Sequence, residues 1–265
     1  MSDEFDFGGN IVWRPGADQI ANARLTEFMQ LHQLNTFDEL MERSTIDVPW
    51  FSDAVLRFLD IQFYQPYSQV VDFSNGIAWP KWCVDGKMNI IHNCLDKYIG
   101  TEKEKQPAFI WEGEEGRSKT ITYKALHQLV NQTANQLRAL GLGKGDAIGV
   151  YMPMVPEIVA AVLAIAKIGG VILPLFSGYG ASAVATRLND ADAKALFTAD
   201  GFYRRGKPIA MKPTADAAAN MVPTLTHMIV FDRTGQAVEM QPERDFWWHE
   251  SIPHGLDDWN LDGFW

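Results

Sequence analysis

Phosphate recognition is the chemistry that residues 201–208 come nearest to. Gly201-Phe-Tyr-Arg-Arg-Gly206-Lys207-Pro208 matches the loop G-x-x-x-x-G-K-[ST] in all but its last position. That loop cradles phosphate with backbone amides, meets its charge with the lysine, and holds magnesium through the hydroxyl of its last residue. Pro208 brings neither a hydroxyl nor an amide, and Pro213 restricts any helix that follows, so the segment is not read as a nucleotide loop of this kind. Its charge is a separate matter. Arg204, Arg205, Lys207 and Lys212 are the densest basic group in a chain of 33 acidic and 23 basic residues with a net charge of −10. At the carboxyl end of a parallel strand such a group can meet an anionic phosphate ligand; the alternative is a solvated basic loop.

Phe176-Ser-Gly-Tyr-Gly180 is a second candidate, a strand end followed by a helix, where small residues let a ligand approach the backbone and its amides. The same glycines also serve ordinary turns. Other chemistry has little support. The histidines at 32, 92, 127, 227, 249 and 254 lack metal-ligand spacing, and no nucleophile elbow is present. The carboxylates carry no pairing that assigns an acid and a base. No catalytic residue and no metal ligand is therefore expected. The two cysteines, Cys83 and Cys94, form neither a disulfide framework nor a zinc pattern and are expected to be buried thiols.

The elements that must position these residues alternate from Pro107 onward. Strands are expected at Ala108–Trp111, Ala147–Met152, Val171–Phe176, Lys194–Thr198 and Met228–Phe231, with a charged turn running through Lys119. Thr122 is placed to cap a helix through Leu140, with Leu126, Val130, Thr133, Ala134 and Leu137 on one face. Pro156 can open a nearly all-apolar, largely buried helix, Glu157–Ile168, stopped by Gly169-Gly170; Ala181–Ala191 is the next. Strands without alternating polarity, separated by helices, imply an α/β fold with a mostly parallel sheet and flanking helices.

Residues 1–106 differ in texture, with Trp13, Trp50, Phe51, Phe58, Phe63, Trp79 and Trp82 spread among short helical patterns at Ala23–Leu31, Thr36–Met41 and Pro49–Leu59. Such a stretch is expected to be an aromatic-rich wrapping segment that packs over a larger domain, 107–265. The final stretch, Gln241–Trp265, ends on Phe264-Trp265 and reads as a terminus expecting more chain to pack against. The acidic balance opposes association with nucleic acid or an anionic membrane. No secretory signal opens the chain, and the uncharged run at Ile168–Thr186 is broken by glycine, proline and serine, so a cytoplasmic protein is expected.

Several motifs in order resemble the acetyl-CoA synthetase (acetate-CoA ligase) branch of the adenylate-forming acyl-CoA synthetase superfamily. They are Lys81-Trp-Cys-Val-Asp-Gly through Asn93-Cys-Leu-Asp96, then Ile121-Thr-Tyr, Gly143-Lys-Gly-Asp146 and Tyr151-Met-Pro-Met-Val-Pro-Glu157. Ala166-Lys-Ile-Gly169, Arg187-Leu-Asn-Asp190, Thr198-Ala-Asp200, the segment Arg204 to Lys212 and Arg244-Asp-Phe-Trp-Trp248 follow. The resemblance implies an enzyme that joins a short-chain carboxylic acid and ATP, assisted by magnesium, into an acyl-adenylate and pyrophosphate, then passes the acyl group to CoA. It implies that Phe176, Ser177 and Gly178 contact the CoA nucleotide and that Arg204 and Lys207 lie near its phosphates. It also implies an incomplete adenylate-forming large domain that stops before the phosphate loop, and hence a chain inactive alone. A non-catalytic CoA-binding or regulatory module is the alternative.

Overall fold

The computed structural model describes residues 11–251, so the aromatic end at Phe264-Trp265, and His254 with it, lie outside the described residues. Two compact units divide the chain, Met1–Gly86 and Lys87–Trp265. The change of sequence texture at Gln106 falls inside the second unit.

The first unit is more regular than its composition suggests. Helices α1 (Ala17–Ala21), α2 (Arg24–Leu31), α3 (Phe37–Ile46) and α4 (Val48–Phe58) precede an antiparallel pair, β1 (Gln69–Asp72) and β2 (Lys81–Val84). Capping explains two of the helix starts. The Thr36 hydroxyl accepts the Glu39 amide at 3.1 Å and the Asp47 carboxylate accepts the Trp50 amide at 3.0 Å, each satisfying an otherwise orphaned donor. Phe28, Leu40 and Ala54 are buried between α2, α3 and α4, and the rings of Phe51 and Phe58 meet Phe28 edge-on at 6.1 and 5.2 Å.

The second unit opens on a short helix, α5 (Ile90–Cys94), and two 3-10 turns. Strands β3 (Pro107–Glu112) and β4 (Ser118–Thr122) form a hairpin, so the charged segment expected as a turn through Lys119 is already strand from Ser118. The Thr122 hydroxyl accepts the Ala125 amide at 3.2 Å and starts α6 (Tyr123–Ala139), whose buried face includes Leu126, Val130, Thr133, Ala134 and Leu137. That is the stripe visible in the sequence.

From here strand and helix alternate: β5 (Ala147–Val150), α7 (Pro156–Lys167), β6 (Val171–Pro174), α8 (Ala181–Asp190) and β7 (Ala195–Ala199). A second hairpin follows, β8 (Gly201–Arg204) and β9 (Lys207–Ala210), then α9 (Lys212–Ala219), β10 (His227–Phe231), β11 (Asp245–Trp247) and α10 (Trp248–Ser251). Five strands make one parallel sheet in the order β11-β10-β7-β5-β6.

Every residue of β5 and β7 is buried, as two covered faces require. On one face Ile148, Val150, Phe197 and Ile229 pack with Leu137, Ala160, Ala164 and Ile165. On the other, Leu196, Met228 and Val230 pack with Val184, Leu188, Ala215 and Ala218. Neighbours along each strand face opposite ways, which is why Leu196 and Phe197 join different clusters. Gly149 sits where a Cβ would come within 2.7 Å of Leu188 and Leu196, so close packing of α8 on β5 requires glycine there. Among the described residues no helix is long and apolar enough to cross a membrane.

Two buried lysines depart from the sequence picture. Lys167, at the end of the largely apolar α7, is 1% exposed and donates to Asp96 at 2.8 Å. Lys212, read from sequence as part of the basic group at 204–212, is also 1% exposed and donates to Asp216 at 2.6 Å, to Asp245 at 2.7 Å and to the Glu239 carbonyl at 3.0 Å. A buried ammonium must be paired, and Lys212 is consumed by that pairing. It therefore does not join the exposed cations. The cysteines also differ from expectation, Cys83 being partly exposed and Cys94 exposed.

Candidate functional site

The chain runs from β5 outward to β6 on one side, then returns past β5 to place β7 on the other. The carboxyl ends of β5 and β7 thus flank the point where strand order reverses, where open parallel sheets leave a crevice for ligands. A cleft of about 270 Å³ lies there. Its walls come from the segments after β5 (Met154, Val155), after β6 (Ser177), after β7 (Phe202, Tyr203) and after β10 (Arg233), with Trp111 from the end of β3.

The turn after β6 brings Phe176, Ser177 and Gly178 together. The Tyr179 amide donates to the Phe176 carbonyl at 2.9 Å, and the buried Tyr151 hydroxyl reaches the carbonyls of Ser177 at 3.2 Å and Tyr179 at 2.9 Å. Burial pushes the Tyr151 phenol up, which keeps its proton available for those carbonyls. Phe176 is 67% exposed and stands edge-on to Tyr179 at 5.6 Å. Its ring lies over Gly178, where a Cβ would meet it at 2.6 Å. Ser177 lines the cleft, and Phe176 and Gly178 stand outside its lining.

Arg204 and Lys207 occupy the tip of the β8–β9 hairpin rather than a phosphate-binding loop before a helix. The two-residue turn between them, Arg205-Gly206, has φ of 52° and 72°, the left-handed pair that matches the twist of a tight hairpin. The Arg205 amide donates to the Glu114 carboxylate from the β3–β4 turn. In the ladder Arg204 is directly opposite Lys207, and both are exposed. Like charges opposed in this way destabilise a hairpin, and a bound anion would relieve that repulsion. The pair lies just beyond Tyr203 and outside the lining of the cleft.

Arg233 ties the walls together. Its guanidinium lies 4.9 Å from the Tyr203 ring and 5.5 Å from that of Trp111, and it meets Glu115 at 2.5 Å. The arginine draws the Glu115 carboxyl below the usual range. Sequence reasoning gives no site role to Trp111, Tyr151, Tyr203 or Arg233, although Tyr151 and Tyr203 stand inside quoted motifs and Trp111 ends an expected strand, a position where a side chain reaches the carboxyl-end crevice.

For a long anionic ligand such as CoA, the donor set fits in part. Two adjacent exposed cations suit phosphate groups, and an aromatic-walled recess suits a flat apolar portion. The recess is smaller than the roughly 300–1,000 Å³ that encloses a drug-sized ligand, so one end of such a molecule can enter while its charged part lies on the hairpin. For a metal the residues do not fit. Among the described residues no three or more His, Cys, Asp or Glu side chains gather as a metal site.

Similarity to known proteins runs through both units. Residues 98–258 match the family AMP-binding enzyme, and residues 37–94 match the acetyl-coenzyme A synthetase N-terminus. The chain is 43% identical over 238 residues to the acetyl-coenzyme A synthetase of Streptomyces coelicolor, covering 90% of the chain and 34% of that protein. It is likewise 43% identical over 211 residues to that of Sodalis glossinidius, covering 74% of the chain and 32% of that protein. Among solved structures, the acetoacetyl-CoA synthetase of Streptomyces lividans superimposes with a TM-score of 0.82 at 28% identity, covering 91% of this chain and 37% of that one. The chain thus spans about a third of the length of the curated relatives it matches.

Proposed function

The chain belongs to the AMP-binding enzyme family, in its acetyl-coenzyme A synthetase branch, and on that premise we propose that it supplies the CoA-facing part of an acetate–CoA ligase. The complete reaction joins acetate, ATP and CoA to give acetyl-CoA, AMP and pyrophosphate, with CoA supplying the thiol that accepts the acyl group. In this reading residues 1–106 are an amino-terminal wrapping segment and 107–265 the first part of the adenylate-forming domain, in a cytoplasmic protein acting on small molecules.

Arg204 and Lys207 hold CoA phosphates as paired charges. The turn Phe176-Ser177-Gly178, fixed from behind by Tyr151, presents its backbone to the nucleotide. One observation carries the assignment: the exposed cations opposed across the hairpin tip, beside the reversal point of strand order where Ser177 lines the cleft. In this reading ATP, magnesium and the acyl group are met in the part of the relatives' length that this chain does not span.

Calorimetric titration of the purified chain with CoA tests the reading. Saturable binding is expected, weakened by about tenfold or more in Arg204→Ala and in Lys207→Ala, the loss expected when a charge-assisted hydrogen bond is removed. Absence of binding, or binding unchanged in both variants, overturns it. The same sample is expected to show no acetate-dependent release of pyrophosphate from ATP.

A further inference from the structure

Asp200, the residue between β7 and β8, is fully buried and makes no salt bridge among the described residues. Its charge is met instead by a ring of donors. Oδ1 accepts the amides of Gly201 at 2.7 Å and Arg233 at 2.8 Å, while Oδ2 accepts the Gln236 amide at 3.0 Å and the Thr234 hydroxyl at 2.6 Å. The Thr234 amide is shared between the two oxygens, at 3.1 and 3.0 Å. Both oxygens thus accept from donors held in fixed positions.

The backbone of the same residue is equally committed. Its amide donates to the Phe231 carbonyl at 3.0 Å, and its carbonyl accepts the Met211 amide at 3.0 Å. Asp200 therefore grips the hairpin at both ends, Gly201 where β8 begins and Met211 just past β9, and joins that base to the turn carrying Arg233. The neighbouring position leaves no slack, since a Cβ on Gly201 would sit 2.5 Å from both the Ile209 carbonyl and Gln236 Nε2.

We infer that Asp200 is a positioning residue for the proposed CoA site, holding the β8–β9 hairpin and the Arg233 turn as one unit that aims Arg204 and Lys207. The inference rests on the CoA reading for its functional half and on the hydrogen-bond ring alone for its structural half. A carboxylate is required because both oxygens face donors. Asparagine turns an N–H group toward amides or a hydroxyl that already donate, and so disrupts one side of the ring.

The experiment pairs hydrogen exchange with CoA titration on the whole chain, comparing wild type, Asp200→Asn, Arg204→Ala and the double variant. In Asp200→Asn, exchange is expected to quicken at least about tenfold at residues 201–210 and 233–236 while β5, β7 and β10 stay protected. CoA affinity is expected to fall about tenfold, with Asp200→Asn costing clearly less in the Arg204→Ala background than in wild type, because only Lys207 is then left to misaim.

Unchanged exchange in the hairpin overturns the inference, as do losses that multiply in the double variant. Should wild type bind no CoA, the CoA reading fails while exchange still decides what Asp200 holds. Should Asp200→Asn not fold, Thr234→Val removes one donor from the ring. A selective gain of exchange in the same two segments then supports the inference, and none overturns it.

Discussion

Lys207 and Lys212 lie five positions apart, the first residues of β9 and α9, in surroundings that could hardly differ more. Lys207 stands exposed at a hairpin tip, opposite another cation. Lys212 is enclosed with Asp216, Arg244 and Asp245, where Arg244 also bonds Asp245 at 2.6 Å and Asp216 at 2.6 Å. The first pair makes no ion pair among the described residues and leaves its charge exposed. The second spends all of it internally, fastening α9 to β11 at the sheet edge. Basic residues close in sequence thus divide into a stabilising set and an available set, and burial decides which is which.

Breaking the buried set has the largest effect. Asp245→Ala leaves Lys212 enclosed with Asp216 as its remaining carboxylate, and a loss of ~3–5 kcal/mol is expected in denaturant titration. Lys212→Met, which removes the buried charge and keeps an apolar side chain, is expected to cost less than Asp245→Ala; an equal or greater cost would mean that the ammonium itself is a net source of stability.

Acid probes the same cluster. Burial opposes the Asp245 carboxylate, but hydrogen bonds from Arg244 and Lys212 outweigh it and hold its pKa below the ordinary 3.8. The folded value being the lower one, this contribution is complete above the unfolded pKa and disappears as pH falls through the folded value. Stability of the wild type is therefore expected to decline below about pH 4, and the decline to be shallower in Asp245→Ala.

Gly201→Ala strikes the join between the two sets, and the contacts its Cβ would make with the Ile209 carbonyl and Gln236 predict ~1–3 kcal/mol of destabilisation. Loss of the α6 cap in Thr122→Ala, remote from both, is expected to cost ~1 kcal/mol and leave CoA binding unchanged. Smallest of all, Arg204→Ala and Lys207→Ala are expected to shift stability by no more than ~0.5 kcal/mol. A cost well above that would place these cations among the structural ones.

How far this division could be read in the sequence depends on where the partners lie. Helices α6 and α7 announce themselves through local signals, Thr122 as a cap, Pro156 in a first turn and an apolar stripe, and the strands of the parallel sheet stand out as short apolar runs. The β8–β9 hairpin is hard to see in the sequence because Arg205-Gly206 is a weak turn signal beside the preferred Asn-Gly or Asp-Gly, and because the glycine-lysine spacing imitates another motif. Lys212 reads as available because two of its partners, the Glu239 carbonyl and Asp245, lie 27 and 33 residues on, in a segment without periodicity. Asp200 was invisible as a hub for the same reason, since Arg233, Thr234 and Gln236 lie more than thirty residues on. Local pattern reveals elements; it does not reveal long-range neutralisation of charge.

The closure of the Lys212 cluster by Asp245 also bears on the order of events during synthesis. As the nascent chain emerges, α9 is complete while the residues that neutralise it at a distance are still to be translated, and β11 joins the sheet only with them. Until then Lys212 has Asp216 alone as its carboxylate partner and the flank of β10 is uncovered. A ribosome that pauses before residue 245 thus holds β10 with its β11 side unpaired and open to wrong partners, the kind of interval in which chaperones act.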